Sequence, residues 1–267
     1  MGGDLFQGDA GLAATGDPHD VLAELDRIGL GHEVHPSRPP LRASQIRCHL
    51  SVHQSLEVAR YFAASVEYDE ATDRFHISGV MGPDEYHDGY PDAPGAGVRD
   101  NTYTNVMVAW VCQRAGEALA ELAGHLRDDI TDRLGVGHDE IEHWAHVSER
   151  LAICVHADGI LSQFDGYESL VELDWAGYRE RYGNIGRLDL ILESENDTTN
   201  RYKLAKQPDV VMLVYLLGHD QLRHQLARLG YPCSHDDIVR TVTYYLERTS
   251  NGSTLSQVVN ASVATSR

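Results

Sequence analysis

The chain has 267 residues, of which 42% are hydrophobic and 24% charged, a composition typical of a soluble globular protein. Its 41 acidic and 22 basic residues give a formal net charge of -19, which disfavours nucleic acid and anionic membranes as partners. A site for an anion must therefore be built locally, from backbone N–H groups and a few cations. The length allows one large domain or two small ones.

The cysteines and the first residues indicate the compartment. No two of the four cysteines form a Cys-x-x-Cys pair, so we expect no zinc or redox motif and no disulfide scaffold. Residues 1–20 lack the basic region and apolar run of a signal peptide, and no apolar stretch approaches the roughly 18 residues that span a bilayer. These features predict a cytoplasmic protein without a bound metal or organic cofactor.

The first 44 residues differ from the rest of the chain. They are rich in glycine, aspartate, proline and histidine, which predicts a poorly structured segment with one short amphipathic helix at residues 21–28. Residues 45–267 instead alternate helical patterns with long polar loops. We therefore place a boundary between residues 44 and 45.

The second part of the chain reads as an all-α domain. Apolar residues at helical spacing predict helices over residues 50–66, from a cap at Thr104 or Asn105 to residue 122, and over residues 139–153, 209–217, 222–229 and 236–246. Residues 73–80 could be extended, but no run of strands appears. Such a pattern is typical of helices packed on helices with function on the loops.

The segment GPDEYHDGY at residues 82–90 contains the strongest chemistry. Four ionisable side chains share this short turn, and because neighbouring carboxylates repel, at least one should hold its proton to higher pH. A carboxylic acid that is protonated near neutrality, among aromatic rings, is what glycosidic bond cleavage needs as a general acid. On composition alone, a solvated acidic turn or a weak Ca²⁺ site made by Asp84, Asp88 and Asp92 explains the segment better.

Three more segments carry polar groups suited to a sugar or an anion. Residues 100–105 (DNTYTN) can cap the following helix or present amides and hydroxyls to a sugar. Lys206 and Gln207 precede an apolar helix and can bond a polyol or remain solvated. The loop at residues 248–256 (RTSNGSTLS) can bind an anion through its backbone, although it does not match the P-loop pattern.

Taken together and in this order, the segments resemble family 65 of the glycoside hydrolases. That family contains phosphorylases for maltose, trehalose, kojibiose and related α-glucosides, with some hydrolases. The resemblance runs from about residue 57 to the C-terminus. The matching segments are GVMGPDEYH at 79–87, NTYTN at 101–105, DGILSQFDGY at 158–167, YGN at 182–184, KQPDV at 206–210 and the loop at 248–256.

The resemblance implies a fold and a set of sugar-binding residues. It implies an (α/α)₆ barrel-type catalytic domain over residues 45–267, incomplete because family members add a β-sandwich, further barrel helices and a C-terminal sheet. Glu85 would be the general acid. The residues expected to hold the glucosyl unit are Lys206, Gln207, Tyr86 and Asn101.

The resemblance also implies a phosphate site. Ser253 and Thr254 would bind inorganic phosphate, the expected co-substrate. Asn251 and Asn260 stand where close relatives are expected to have histidines.

The implied reaction is inverting phosphorolysis of an α-glucosyl disaccharide of the trehalose, maltose or kojibiose type. Phosphate attacks the anomeric carbon opposite Glu85, so one catalytic carboxyl suffices. The alternatives are a hydrolase on the same scaffold, with Glu247 as its base, and an inactive remnant or sugar-binding module. The expected partners are the disaccharide and phosphate, and exposed helix faces would favour a homo-oligomer.

Overall fold

The structure is a computed structural model that describes residues 43–250 and Val259, with side chains from Val52 onward. The chain divides into two compact units, Met1–Ser51 and Val52–Arg267, and the packing given below is that of the second. The helix predicted at residues 21–28 and the poorly structured character predicted for residues before 43 lie outside the described residues.

Helices make up most of the described part of the chain. Their bounds are α1 Ala43–Ala63, α2 Thr102–Glu121, α3 Gly124–Leu134, α4 His138–Arg150, α5 Trp175–Tyr182, α6 Leu188–Ser194, α7 Asp209–Arg228 and α8 His235–Leu246. Two 3₁₀ turns lie at Tyr167–Ser169 and Thr199–Arg201. The prediction of an all-α domain is confirmed.

Four very short strands complete the regular structure. Strands β1 (Glu67–Asp69) and β2 (Arg74–His76) form an antiparallel hairpin, with Glu67 opposite His76. Strands β3 (Val171–Glu172) and β4 (Tyr202–Lys203) pair in parallel. The second pair holds the chain before α5 beside the chain that leads into α7, which brings two distant loops together.

Helix α2 lies at the centre of the main hydrophobic core. It packs against α4 and α7, and α7 packs against α8. The α2 side chains that face these helices recur at helical spacing and include Val106, Ala109 and Cys112. Trp144 of α4 is 1% exposed and is the largest fully buried side chain of the described residues. Burial of each large apolar side chain stabilises the fold by about 1.5–3 kcal/mol.

A second, smaller core supports the loop that contains the GPDEYHDGY segment. Its members are mostly aliphatic. Five come from α5, α6 and the residues next to them, and Tyr86 and Leu204 come from other segments: Tyr86, Leu173, Tyr178, Ile185, Leu188, Leu192 and Leu204. Because Tyr86 is one of them, the segment is anchored by burial of an aromatic ring rather than by its polar groups alone.

Three helices differ from the sequence-based expectations. Helix α2 begins at Thr102, earlier than predicted, because Asn101 is its N-cap and accepts a hydrogen bond from the Thr104 N–H at 3.0 Å. Helix α3 is not predicted by apolar spacing because Ile130 is its one buried residue. Helix α7 contains both stretches predicted as separate helices, and Gly218 interrupts it with a non-helical φ of 73°.

No helix within residues 43–250 is both long enough and apolar enough to cross a membrane.

The capping box of α8 yields a test of local stability. The Ser234 hydroxyl accepts from the Asp237 N–H at 3.1 Å, and the Asp237 carboxylate accepts from the Ser234 N–H at 2.7 Å. Because Ser234→Ala removes the hydroxyl, we expect it to lower the free energy of unfolding by about 1 kcal/mol in urea denaturation.

Ser194→Ala is the matched control. Its hydroxyl donates to the Ile191 carbonyl of its own helix at 2.7 Å, so its loss should change the free energy of unfolding by less than about 0.5 kcal/mol. Equal effects of the two substitutions would contradict a special role for the cap.

Candidate active site

Glu85 and Lys206 lie side by side, although they are 121 positions apart. The Glu85 N–H closes a turn by donating to the Gly82 carbonyl at 3.2 Å, and its backbone has a φ of 61°. This left-handed conformation costs a residue with a Cβ about 1–2 kcal/mol. The Glu85 side chain is 59% exposed, and its Oε2 accepts from Lys206 Nζ at 3.0 Å.

The preceding residue, Asp84, holds the Lys206 segment against this turn. It is 2% exposed. Its Oδ1 accepts from the backbone N–H groups of Lys206 at 2.6 Å and Gln207 at 3.0 Å. Its Oδ2 accepts from Gln163 Nε2 at 3.2 Å. A buried carboxylate with three N–H donors has its polar capacity largely satisfied, so Asp84 acts as a fixed anchor.

Asp209, the first residue of α7, ties the same turn to two helices. It is 1% exposed. Its Oδ1 accepts from the Asp84 N–H at 2.8 Å, and its Oδ2 accepts from Asn101 Nδ2 at 2.6 Å. The turn before Glu85, the cap of α2 and the start of α7 therefore meet on one buried carboxyl.

The environment of Asp209 favours its protonated form. Burial and then the negative charge of Asp84 raise the pKa of Asp209 to about 8, whereas the hydrogen bonds from Asn101 and from the Asp84 N–H act in the opposite direction. The sequence predicts that a carboxyl of the GPDEYHDGY segment keeps its proton to higher pH. In the structure the carboxyl whose pKa is raised is that of Asp209, which lies outside this segment.

Gly82 makes this close approach possible. A Cβ atom at residue 82 would lie 1.9 Å from Asp209 Oδ2 and 2.6 Å from Asn101 Nδ2, far inside van der Waals contact. A glycine is therefore required here by the space that the Asp209 carboxyl occupies, rather than by the conformational freedom of the turn.

Three predicted sugar-binding residues bond to the protein in this structure. Gln207 is half-buried, and its Nε2 donates to the Pro83 carbonyl at 2.7 Å. Tyr86 is 5% exposed, with its hydroxyl 3.2 Å from Ser250 Oγ. Asn101 is 1% exposed and bonds as the α2 cap and to Asp209. Contact of these residues with a sugar stays a prediction.

The predicted phosphate-binding residues Ser253 and Thr254 lie outside the described residues. The described part of their loop ends at Ser250, whose N–H donates to the Ala205 carbonyl at 2.9 Å. The loop that follows therefore starts one residue away from the Lys206 backbone.

Arg248, the first residue of that loop and a cation, is bound to other groups. It forms a two-pronged ion pair with Glu172, with a shortest distance of 3.0 Å, and it lies over the Tyr244 ring at 3.8 Å from the centroid. Glu247, the base in the hydrolase alternative, is 71% exposed and its Oε2 is 3.8 Å from Arg248 Nη1.

The alternative of a calcium site is not supported by the carboxylates that it needs. Asp84 is bound to N–H donors as described, and Asp88 Oδ1 accepts from Asn200 Nδ2 at 2.7 Å and from the Gly95 N–H at 3.2 Å. Within the described ranges, no three histidine, cysteine, aspartate or glutamate side chains are grouped as metal ligands.

The sequence did not identify Asp209 or Gln163 as parts of the site, and it marked His87 only as one of the ionisable side chains of the GPDEYHDGY segment. His87 is 4% exposed, with Nε2 3.0 Å from the Tyr202 carbonyl and Nδ1 3.6 Å from Asp84 Oδ2. Asp209 and Gln163 both lie within the segments that carry the family resemblance. A polar residue inside such a segment, at the edge of an apolar run, is the signal that could have found them.

The fold of the chain is similar to a solved structure, and its sequence matches a family model. A solved structure of a candidate kojibiose phosphorylase from the human microbiome matches with a TM-score of 0.62 at 22% identity, over 80% of this chain and 26% of that chain. The fold is thus a helical barrel-type fold, as predicted. The model of the glycosyl hydrolase family 65 central catalytic domain matches residues 45–267, and the chain belongs to this family.

Two relatives show how far the similarity extends. An uncharacterized glycosyl hydrolase of Mycobacterium tuberculosis is 50% identical over 206 residues, which cover 77% of this chain and 15% of the relative. A trehalose 6-phosphate phosphorylase of Lactococcus lactis is 35% identical over 190 residues, 71% of this chain and 23% of the relative. The chain spans less than a quarter of the length of either protein.

The close approach at residue 82 gives a test of the site's packing. In Gly82→Ala the new methyl group would overlap the Asp209 carboxyl, so we expect the free energy of unfolding to fall by about 1–3 kcal/mol in chemical denaturation. Gly116→Ala in α2 is the control, because a Cβ there meets no atom within 4 Å. It should leave the stability unchanged or raise it by up to about 1 kcal/mol. Similar stabilities of the two variants would contradict the packing described.

The raised pKa of Asp209 predicts a pH dependence of stability. The unfolded chain releases this proton near pH 3.8 and the folded chain near pH 8. The contribution is thus fully present below pH 4, falls as pH rises between these values by up to about 1.4 kcal/mol per pH unit, and is lost above pH 8. Asp209→Asn removes this titration, so the stability difference between wild type and variant should decrease from pH 5 to pH 8 in urea denaturation.

The control for this measurement is Ser234→Ala. Its capping partner Asp237 has a pKa lowered by the hydrogen bonds from Ser234, so the deficit of this variant should stay constant from pH 5 to pH 8. An Asp209→Asn deficit that is equally constant over this range would show that Asp209 is ionised in the folded protein.

Proposed function

We propose that this site cleaves an α-glucosyl disaccharide by inverting phosphorolysis, with Glu85 as the proton donor and inorganic phosphate as the nucleophile. The observation that carries the proposal is the 3.0 Å contact between Glu85 Oε2 and Lys206 Nζ. It joins a carboxyl group to a strong hydrogen-bond donor on a partly exposed surface. Family membership and the similarity to a trehalose 6-phosphate phosphorylase support the same reaction class.

In the proposed reaction, Glu85 gives its proton to the glycosidic oxygen while a phosphate oxygen attacks the anomeric carbon from the opposite face. The bond from this carbon to the glycosidic oxygen breaks, and the bond from this carbon to the phosphate oxygen forms with inversion. The products are β-glucose 1-phosphate and the released sugar. Phosphate is already a nucleophile, so the reaction needs no second carboxyl group to activate water.

The groups that hold phosphate in this proposal are Ser253 and Thr254. Their loop begins beside Ala205, as the hydrogen bond from Ser250 shows, and the net charge of the chain is -19. An anion in such a field has to be held by local donors, and hydroxyl and backbone N–H groups of a Ser/Thr/Gly loop are donors of this kind. Lys206, the residue after Ala205, carries a positive charge.

Lys206 would have two successive partners. In this structure its ammonium group lies 3.0 Å from Glu85 Oε2, which accepts the hydrogen bond. In the proposed cycle, a hydroxyl group of the bound glucosyl unit accepts a hydrogen bond from Lys206 and replaces Glu85 as its partner. The Glu85 carboxyl is then free to face the glycosidic oxygen.

The substrate class proposed is a trehalose-, maltose- or kojibiose-type disaccharide, and the compartment proposed is the cytoplasm. A homo-oligomer stays a prediction. Large apolar side chains are exposed on four helices of the described part, among them Tyr61 of α1 at 68%, Leu190 of α6 at 50% and Leu216 of α7 at 49%. Such surfaces are available to a second copy or to another chain.

The test uses the 267-residue chain with trehalose, maltose or kojibiose, with and without phosphate. We expect β-glucose 1-phosphate to form only when phosphate is present. Glu85→Gln keeps the size of the side chain but has no proton to give, so its turnover should fall by at least about 100-fold. The control Glu180→Gln changes an exposed glutamate of α5 and should keep wild-type turnover.

The same assay separates the alternatives. Free glucose without phosphate, together with loss of activity in Glu247→Gln, would indicate the hydrolase. Absence of turnover on every disaccharide would overturn both enzymatic functions for this chain and favour a sugar-binding module or an inactive remnant.

A further inference from the structure

Asp84 and Asp209 lie beneath the Glu85–Lys206 pair and cannot contact a substrate themselves. Their exposed fractions are 2% and 1%, and each carboxyl group already accepts hydrogen bonds from at least two protein donors. Any influence on the reaction must therefore pass through the residues that they hold.

A continuous set of short hydrogen bonds leads from Lys206 to the start of α2. The Lys206 N–H donates to the Asp84 carboxylate at 2.6 Å, and the Asp84 N–H donates to the Asp209 carboxyl at 2.8 Å. Asn101 Nδ2 donates to the same Asp209 carboxyl at 2.6 Å. The Asp84 side chain thus holds the Lys206 backbone, and the Asp209 side chain holds the Asp84 backbone directly before Glu85.

The conformation of Glu85 makes this support necessary. A φ of 61° is unfavourable for glutamate by about 1–2 kcal/mol, so the turn relaxes unless neighbouring contacts hold it. One of those contacts is made by the backbone of Asp84, directly before it. Loss of the Asp209 acceptor would therefore free the turn and move the Glu85 carboxyl relative to Lys206.

We propose that Asp84 and Asp209 are positioning residues, and that this buried carboxyl pair sets the distance between the Glu85 carboxyl and the Lys206 ammonium. The effect of this positioning on catalysis rests on the proposed function, whereas its effect on the distance between Glu85 and Lys206 does not. The nearly complete exclusion of water and the absence of room for a Cβ at residue 82 both show that the pair is closely fitted.

The electrostatics of Asp209 are compatible with its place beside a second buried carboxyl. Burial and then the negative charge of Asp84 raise the pKa of Asp209, which favours its neutral form. Other titratable groups lie around the pair. His87 Nδ1 is 3.6 Å from Asp84 Oδ2, and the Lys206 ammonium is held by Glu85. The remaining groups are four tyrosine hydroxyls, those of Tyr86, Tyr103, Tyr167 and Tyr245. Burial raises the pKa of all four tyrosines, so they stay neutral.

The test compares Asp209→Asn and Asp84→Asn with the wild-type chain. Each substitution keeps the side-chain size but places an NH₂ group where a carboxyl oxygen now accepts from N–H donors. The Glu85 Oε2 to Lys206 Nζ distance is measured in substrate-free crystal structures. Turnover and KM are measured with the disaccharide and phosphate. The matched control is Asp100→Asn, another buried carboxyl, whose bonds go to His76, Ile77 and Asn105.

We expect the distance to grow beyond about 4 Å in both variants, because that is the limit of an ion pair, and to stay at 3.0 Å in the control. Displacement of a reacting group by about 1 Å can cost roughly 100-fold, so kcat should fall by about that factor. KM for the disaccharide should change by less than about threefold, because the sugar contacts remain. A purely structural role would instead lower the amount of folded protein without changing kcat per folded molecule.

The inference is overturned if Asp209→Asn or Asp84→Asn keeps both the 3.0 Å contact and wild-type kcat. If one variant does not fold, the other decides. If the wild-type chain shows no turnover, the proposed function fails, and the measured distance alone still supports or overturns the positioning role.

Discussion

The buried carboxyl of Asp209 is the interaction on which the site depends. It accepts from the backbone of Asp84 and from the amide of Asn101, and so joins the turn before Glu85 to the first residues of α2 and α7. It lies beside a second buried carboxyl, that of Asp84, and burial followed by the charge of Asp84 raises the pKa of Asp209. The positions of the partly exposed Glu85 and Lys206 side chains therefore depend on these buried hydrogen bonds.

The two cores of the domain keep this arrangement in place. The main core fixes α2 against α4 and α7, so the N-termini that contribute Asn101 and Asp209 are rigidly related. The smaller core buries the Tyr86 ring and holds the turn from its other side. A rigid support beneath partly exposed polar side chains is the usual construction of a binding or catalytic loop, because only the contacting groups then need to move.

Much of the fold could be predicted from the sequence, because a helix with one apolar face has apolar residues that recur at helical spacing. Helices α2, α4 and α8 follow from this pattern, whereas α3 has one buried residue and gives no such signal. The site was harder to predict from the sequence. Glu85 and Lys206 came together only through the family resemblance, since no local pattern links residues 121 positions apart. Asp209 looks like an ordinary helix start after a proline, and its proximity to Asp84 is a tertiary property that neither segment reveals alone.

The protonation state of Asp209 can be observed directly by carbon-13 NMR of the aspartate carboxyls, with the signal assigned by its disappearance in Asp209→Asn. If Asp209 keeps its proton in the folded chain, this signal will have the shift of a neutral carboxylic acid at pH 6 and will titrate near pH 8. A carboxylate signal at pH 6, with titration near the ordinary aspartate value of 3.8, would contradict a protonated Asp209 beneath the site.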